Sequence, residues 1–146
     1  MANVLVETKE LKKYFKVGSG MLHAVDGVNL KIEEGKTLGV VGESGCGKST
    51  LGRIITRLLE PTDGDVLFRG ESIMQYKRKQ LDAVRAKMQM IFQDPYASLN
   101  PRMSVQELIA EPMLINKTYR TKSEVYERVS QLMDTVGLAQ RLAAQI

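Results

Sequence analysis

The chain has one cysteine, one histidine and no tryptophan in 146 residues. With a single thiol, Cys46, no internal disulfide can form, and with His23 as the only imidazole no Cys/His zinc set can be assembled. A reducing compartment is expected. Long apolar runs are missing as well. No stretch approaches the ~18 to 20 consecutive apolar residues of a membrane span, and the N-terminus, with acids at Glu7 and Glu10, shows no apolar run of an export signal. Charge imbalance is small: 21 Lys+Arg against 17 Asp+Glu leave +4, which fits phosphate ligands, an anionic membrane surface or neither. The densest basic run is Lys77, Arg78, Lys79, then Arg85 and Lys87. Its apolar residues Leu81 and Val84 are three apart, as on an amphipathic helix, and no aromatics interleave to stack bases. A solvated helix face is expected there, not a nucleic-acid interface. What is present is ordinary: 43% hydrophobic and 26% charged residues, enough for one globular domain with one core. That composition excludes a disordered tail or a repeat array.

Along the chain, the first thirty-odd residues predict antiparallel β-structure. Val4 and Val6 alternate with polar neighbours, Gly18-Ser19-Gly20 forms a loop, and Val28, Leu30 and Ile32 alternate again before a turn at Glu34-Gly35. The pattern then changes. Thr37 to Val41 is a short apolar run that suits a strand buried on both faces, as in a helix-covered parallel sheet. After glycine-rich residues 42 to 47, Leu51, Ile54, Ile55, Leu58 and Leu59 recur at helical spacing and predict one buried face. Glu60-Pro61 should stop that helix, with a strand at Asp65 to Arg69 beyond the turn Thr62-Asp63-Gly64. Met88 to Phe92 predicts a further strand, ended by Gln93-Asp94-Pro95. Thereafter the chain turns helical. Ser104 with Glu107, and Thr121 with Glu124, each fit the S/T-x-x-E capping box. Val125, Val129, Leu132, Met133 and Val136 form the expected buried stripe of the second helix, with Gly137 as its stop.

The motif that carries chemistry is Gly42-Glu43-Ser44-Gly45-Cys46-Gly47-Lys48-Ser49-Thr50, which fits G-x-x-x-x-G-K-[ST], the phosphate-binding P-loop. Glycines let the backbone bend so that successive N–H groups surround a β-phosphate. Lys48 then reaches the β- and γ-phosphates, the Ser49 hydroxyl ligates Mg²⁺, Thr50 adds an α-phosphate contact, and the helix start turns its positive dipole end toward the anion. The match falls where it must, between an apolar run and an amphipathic helix. All nine residues are the expected nucleotide-binding set, and Lys48 is a catalytic candidate. For Cys46 two readings stand: a small tolerated side chain, or a thiolate favoured near a helix start and Lys48.

Gly42 to Arg53, together with Ile91-Phe92-Gln93-Asp94-Pro95-Tyr96-Ala97-Ser98-Leu99-Asn100-Pro101-Arg102, resembles the ATP-binding subunits of oligopeptide and dipeptide ABC importers. Cys46 and Tyr96-Ala97-Ser98 resemble the F-type of the two ATPase subunits. His23-Ala24-Val25-Asp26-Gly27-Val28 and Glu60-Pro61-Thr62-Asp63-Gly64 extend the resemblance over essentially the whole chain. It implies an α/β fold of the P-loop NTPase, ABC ATPase type, with an N-terminal antiparallel β-subdomain, a P-loop strand–helix core and the start of a helical subdomain. The division would be 1–93, antiparallel β plus P-loop core, and 94–146, Q-loop segment and partial helical subdomain. It makes Phe15 the ring that stacks on adenine, with Tyr14 as the neighbouring alternative, and puts Val25 beneath the base. Gln93 matches the Q-loop glutamine, a catalytic residue whose amide joins the Mg²⁺ shell or holds the attacking water; from the residues alone, Gln93 and Asp94 simply end a strand. Met103, Val105, Leu108, Ile109, Met113, Leu114 and Ile115 fit either subdomain core or a surface facing membrane subunits.

The cofactors implied are ATP and Mg²⁺. Implied partners are transmembrane permease subunits, a second ATPase subunit and, indirectly, a peptide-binding protein, with no nucleic acid; the implied place is the cytoplasmic, inner face of the cell membrane, held peripherally. The family's Leu-Ser-Gly-Gly-Gln signature, its Asp-Glu pair after an apolar strand and its switch histidine do not occur in these residues. Asp94 is a poor metal-supporting aspartate, since Gln93 intrudes before it and Pro95 follows. The resemblance therefore implies an incomplete domain, a little over half of the family's nucleotide-binding domain. Three functions follow for testing: an energy-coupling ATPase subunit, a nucleotide-binding module without turnover, and a small P-loop kinase. The kinase is disfavoured because about forty residues precede the loop.

Overall fold

A computed structural model describes residues 3–94 and 99–138. Chain contacts divide the protein into two compact units, 1–90 and 91–146. In the first, β1 (Val4–Val17) and β2 (Gly20–Glu33) form a long antiparallel hairpin, and β3 (Asp63–Phe68) and β4 (Glu71–Ser72) extend it to a sheet of order β2-β1-β3-β4. The alternation predicted from Val4, Val6, Val28, Leu30 and Ile32 is realised, with Val6 opposite Ile32 and Leu11 opposite Val28. Gly18, with φ 58, makes the tip possible. The register slips between Thr8 and Leu11, where Glu10 has φ 45 and its N–H donates to Asn29 Oδ1 at 2.8 Å. Gly64 of β3 lies so close to this bulge that a Cβ there would overlap the Glu10 carbonyl.

Helix α1 (Lys48–Ile55) and helix α2 (Arg78–Arg85) complete the first unit. Its core joins Val6, Leu11, Val25, Leu51, Ile54, Val66, Ile73 and Val84; α1 contributes Leu51 and Ile54, and α2 contributes Val84 while Leu81 stays only half-buried. Thr8 is a buried polar residue of the sheet, and its hydroxyl donates to the Val28 carbonyl at 2.9 Å while accepting from Leu30 N–H at 3.1 Å. Both of its hydrogen-bonding needs are met, which removes the desolvation cost.

Three local expectations are corrected here. Thr37 to Val41 is not a strand: Leu38, Val40 and Val41 are 45%, 49% and 93% exposed. Met88 to Phe92 is not one either, and Ile91 is 97% exposed. A strand buried on both faces needs hydrogen-bonded neighbours, and neither run is paired into a sheet among the described residues. Third, α1 ends at Ile55, although the apolar spacing continues to Leu59; Leu58 is exposed. Arg57 adopts φ 55 as the first residue past the cap, with its N–H on the Ile54 carbonyl at 2.9 Å and the Leu58 N–H on Arg53 at 2.9 Å. This is a Schellman stop made by an arginine where glycine is usual. The side chain explains how it is held: the buried guanidinium reaches Glu60 and donates to the Met74 carbonyl at 3.2 Å, while Arg85 donates to the Arg57 carbonyl at 2.9 Å.

In the second unit, α3 (Val105–Ile115) and α4 (Lys122–Thr135) pack through Ala110, Val125, Val129 and Met133, with Val105, Ile109, Met113 and Tyr126 against them. Both expected capping boxes are present, Ser104 with Glu107 and Thr121 with Glu124. Of the predicted stripe, Val125, Val129 and Met133 are buried; Leu132 is only half-buried, and Val136 is the cap and lies exposed beyond the last turn. Gly137, with φ 73, makes the stop: its N–H meets Asp134 at 3.1 Å and the Leu138 N–H meets Met133 at 2.9 Å. Leu114 and Ile115 stay exposed. Among the described residues no helix is long and apolar enough to cross a membrane.

Candidate phosphate-binding site

Residues 42–47 form an exposed loop that runs into α1 without a strand before it. Gly45 and Gly47 have φ 82 and 97, conformations that side chains resist, as the motif requires. Space is as strict as torsion. A Cβ on Gly47 would overlap the carbonyl of Ala24 and reach within 3.8 Å of the Val25 methyl, so β2 lies directly against the head of α1. A Cβ on Gly42 would come 2.7 Å from Cys46 Sγ, which packs across the loop.

Lys48 closes this loop on itself. Its ammonium donates to the carbonyls of Gly42 at 2.8 Å and Glu43 at 2.6 Å and lies 3.5 Å from Cys46 Sγ. Gly47, the N-cap, offers no side-chain acceptor. The first-turn N–H groups of Lys48, Ser49 and Thr50 therefore lack the side-chain capping partner that Ser104 and Thr121 supply to α3 and α4. An anion placed there would meet an ammonium, unpaired N–H donors, the exposed Ser49 hydroxyl and the positive end of α1.

The structure brings Val25, 5% exposed, to the same place, because its methyl faces Gly47. Phe15 is half-buried on β1, opposite Leu22 of β2. Tyr14 is engaged elsewhere: its ring stacks on His23 at 3.9 Å between centroids and 15° between planes, and its hydroxyl donates to Asp26 at 2.5 Å. That hydrogen bond, first among several causes, raises the Tyr14 phenol above its ordinary value. It also lowers the Asp26 carboxyl, helped by His23 at 3.3 Å. Gln93 lies in the second unit as an exposed bend residue. Tyr96, Ala97 and Ser98, part of the F-type resemblance, lie outside the described residues.

Two features of the site were not visible as motifs. The Ala24 carbonyl sets which residue Gly47 must be, yet Ala24 precedes it by 23 positions, and nothing local marks the contact. The Tyr14–His23–Asp26 cluster also crosses two strands, and its signal was the hairpin register alone.

A family model described as ABC transporter matches residues 25–146. The oligopeptide transport ATP-binding protein OppF of Bacillus subtilis (strain 168) is 55% identical over 94% of this chain and 46% of its own length. OppF of Escherichia coli (strain K12) is 48% identical over 95% of this chain and 44% of its length, and the dipeptide transport ATP-binding protein DppF of the same strain is 43% identical over 92% and 42%. The chain thus spans less than half the length of these curated relatives. Among solved structures, the dimeric post-hydrolysis state of the ATP-binding cassette MJ0796, bound to ADP and Pi, superposes with a TM-score of 0.80 at 28% identity, over 96% of this chain and 60% of that one. CbiO1 from Clostridium perfringens, part of an ABC transporter complex, gives 0.72 at 26% identity, over 98% and 54%. The ATPase-type fold that the resemblance implies therefore stands as part of a cassette, although its P-loop run is not paired as a strand. With the family match covering most of its length, the chain belongs to the ABC transporter family, within its ATP-binding cassettes.

Proposed function

We propose that the chain is the nucleotide-gripping part of an energy-coupling ATPase subunit of an oligopeptide or dipeptide importer, and that it binds Mg-ATP at the head of α1. One observation carries this: Lys48 opens a helix whose first turn no side chain caps, and its ammonium is drawn over the glycine-rich loop by the Gly42 and Glu43 carbonyls. Gly42, Glu43, Ser44, Gly45, Cys46 and Gly47 supply the cradle, in which the α-carbons of Gly42 and Gly47 are too cramped for a side chain. Lys48 trades two carbonyls for oxygens of the β- and γ-phosphates, and in phosphoryl transfer such positioning and charge neutralisation are most of the catalysis. Thr50 adds an α-phosphate contact.

Magnesium, when bound, offsets the phosphate charge. Ser49 is its proposed ligand on α1, and Gln93 is proposed, on the family resemblance, as a further ligand or holder of the attacking water. Phe15 is proposed as the adenine platform with Val25 beneath the base; what supports Phe15 over Tyr14 is that the Tyr14 ring and hydroxyl are already engaged. The division at Gln93 between core (1–93) and Q-loop plus helical part (94–146) belongs to the same reading. So do the partners: permease subunits, a second ATPase subunit and a peptide-binding protein, at the inner face of the cell membrane.

The relatives' length and names support ATP hydrolysis coupled to peptide import in the parent protein. For the 146 residues alone we propose binding without turnover, since they hold neither signature, Asp-Glu pair nor a histidine after the loop. Steady-state phosphate release tests this directly. The chain should release no phosphate above background at saturating Mg-ATP; robust turnover would contradict the binding-module reading.

A further inference from the structure

Lys12, Lys13 and Tyr14 are consecutive on β1, and two of the three have acidic partners. Lys12 Nζ is 3.8 Å from Asp63, and Tyr14 donates to Asp26. Among the described residues no carboxylate lies within ion-pair distance of Lys13. Its ammonium instead lies over the ring of Phe15, 5.2 Å from the centroid. That contact puts the Lys13 and Phe15 side chains together, while the Tyr14 ring stacks on His23, although the register shifts on both sides of Lys13. The register sets Lys13 opposite Val25, the residue that packs against Gly47 at the head of α1. Packing alone does not fix the Phe15 ring, because Leu22 opposite it is 55% exposed.

We propose that Lys13 is a positioning residue for nucleobase recognition: its ammonium braces one face of the Phe15 ring and leaves the other for the base. This rests on the reading of Phe15 as the adenine platform. A cation–π contact at an exposed site is worth ~0.5–1 kcal/mol, which at 1.36 kcal/mol per tenfold is roughly a two- to fivefold change in affinity. The effect belongs to ligands that carry a base. A tripolyphosphate chain, which offers the loop the same anionic oxygens and no ring, is indifferent to it.

The test is isothermal titration of the 146-residue chain with Mg-ATP and, separately, Mg-tripolyphosphate, for the unsubstituted protein, Lys13→Met, Lys13→Arg, Phe15→Leu and the Lys13→Met/Phe15→Leu pair. Circular dichroism checks that each variant is folded. Expected is a roughly two- to fivefold weaker ATP affinity for Lys13→Met, recovery in Lys13→Arg, unchanged tripolyphosphate affinity throughout, and no further loss when Lys13→Met is added to Phe15→Leu. Equal weakening for both ligands would overturn the proposal in favour of a direct phosphate contact. A full loss persisting in the Phe15→Leu background would overturn it too. If Phe15→Leu binds ATP as well as the unsubstituted chain, the base-platform reading fails, and if neither ligand binds that chain, the nucleotide reading itself fails; each removes the brace at a different, recognisable level.

Discussion

Gly45 and Gly47 separate two demands that the loop makes on glycine. Both have positive φ, 82 and 97. Around Gly45 no heavy atom lies within 4 Å of the place a methyl would take, so Gly45→Ala carries only the backbone term, about 1–2 kcal/mol for a left-handed L-residue. Gly47→Ala carries the same term and also drives a methyl into the Ala24 carbonyl, which is backbone and cannot swing away. Overpacking of that kind adds about 1–3 kcal/mol, giving roughly 2–5 kcal/mol in all. Urea denaturation of the two variants beside the unsubstituted chain, followed by far-ultraviolet circular dichroism, reads the difference as a shift in midpoint at constant slope. The Gly47 variant should unfold at clearly lower urea than the Gly45 variant. Equal midpoints would refute the claim that β2 presses on the head of α1.

Ile54, fully buried beneath α1, should cost about 2–5 kcal/mol when replaced by alanine, whereas the exposed Leu58 of the same apolar spacing should change the denaturation midpoint little. Equal effects would mean that the helix continues past Ile55. The pH dependence follows from two lowered carboxyls. Asp26 is held down first by its hydrogen bond from Tyr14 and then by His23, and Glu107 by the backbone N–H and hydroxyl of Ser104. A folded-state value below the unfolded one means that the stabilisation is present above the ordinary carboxylate range, near 4, and is lost as pH falls through the lowered values. Neither group should contribute a slope between pH 5 and 7, and Asp26→Asn or Glu107→Gln should flatten the decline below about pH 4; an unaltered acid limb would contradict the pairing.

How much was legible depended on how far each determinant reached along the chain. The capping boxes at Ser104 and Thr121 and the Gly137 stop are complete within four or five residues, and they appear as read. The hairpin needed only alternation. Thr37 to Val41 failed because an apolar run states that a segment is to be buried, while the strand itself depends on neighbours that no described residues provide. The end of α1 failed for a different reason. Arg57 is not a residue that sequence nominates for a left-handed stop, and its partners Met74 and Arg85 lie 17 and 28 positions away. Four fixed positions nominate the loop as a phosphate site, yet the contact that makes Gly47 obligatory, the Ala24 carbonyl, leaves no mark in them. For Phe15 against Tyr14 the residues left the choice open; the His23 stack and the Asp26 hydrogen bond are cross-strand facts that only the register brings into view.

The central claim is that Lys48 and the loop around it hold the phosphates of ATP. Equilibrium titration of the chain with a fluorescent ATP analogue in the presence of Mg²⁺, compared between the unsubstituted protein and Lys48→Ala, tests it most directly. Saturable binding that Lys48→Ala abolishes or greatly weakens is the predicted result; unchanged affinity in that variant, with its fold intact, would contradict the account.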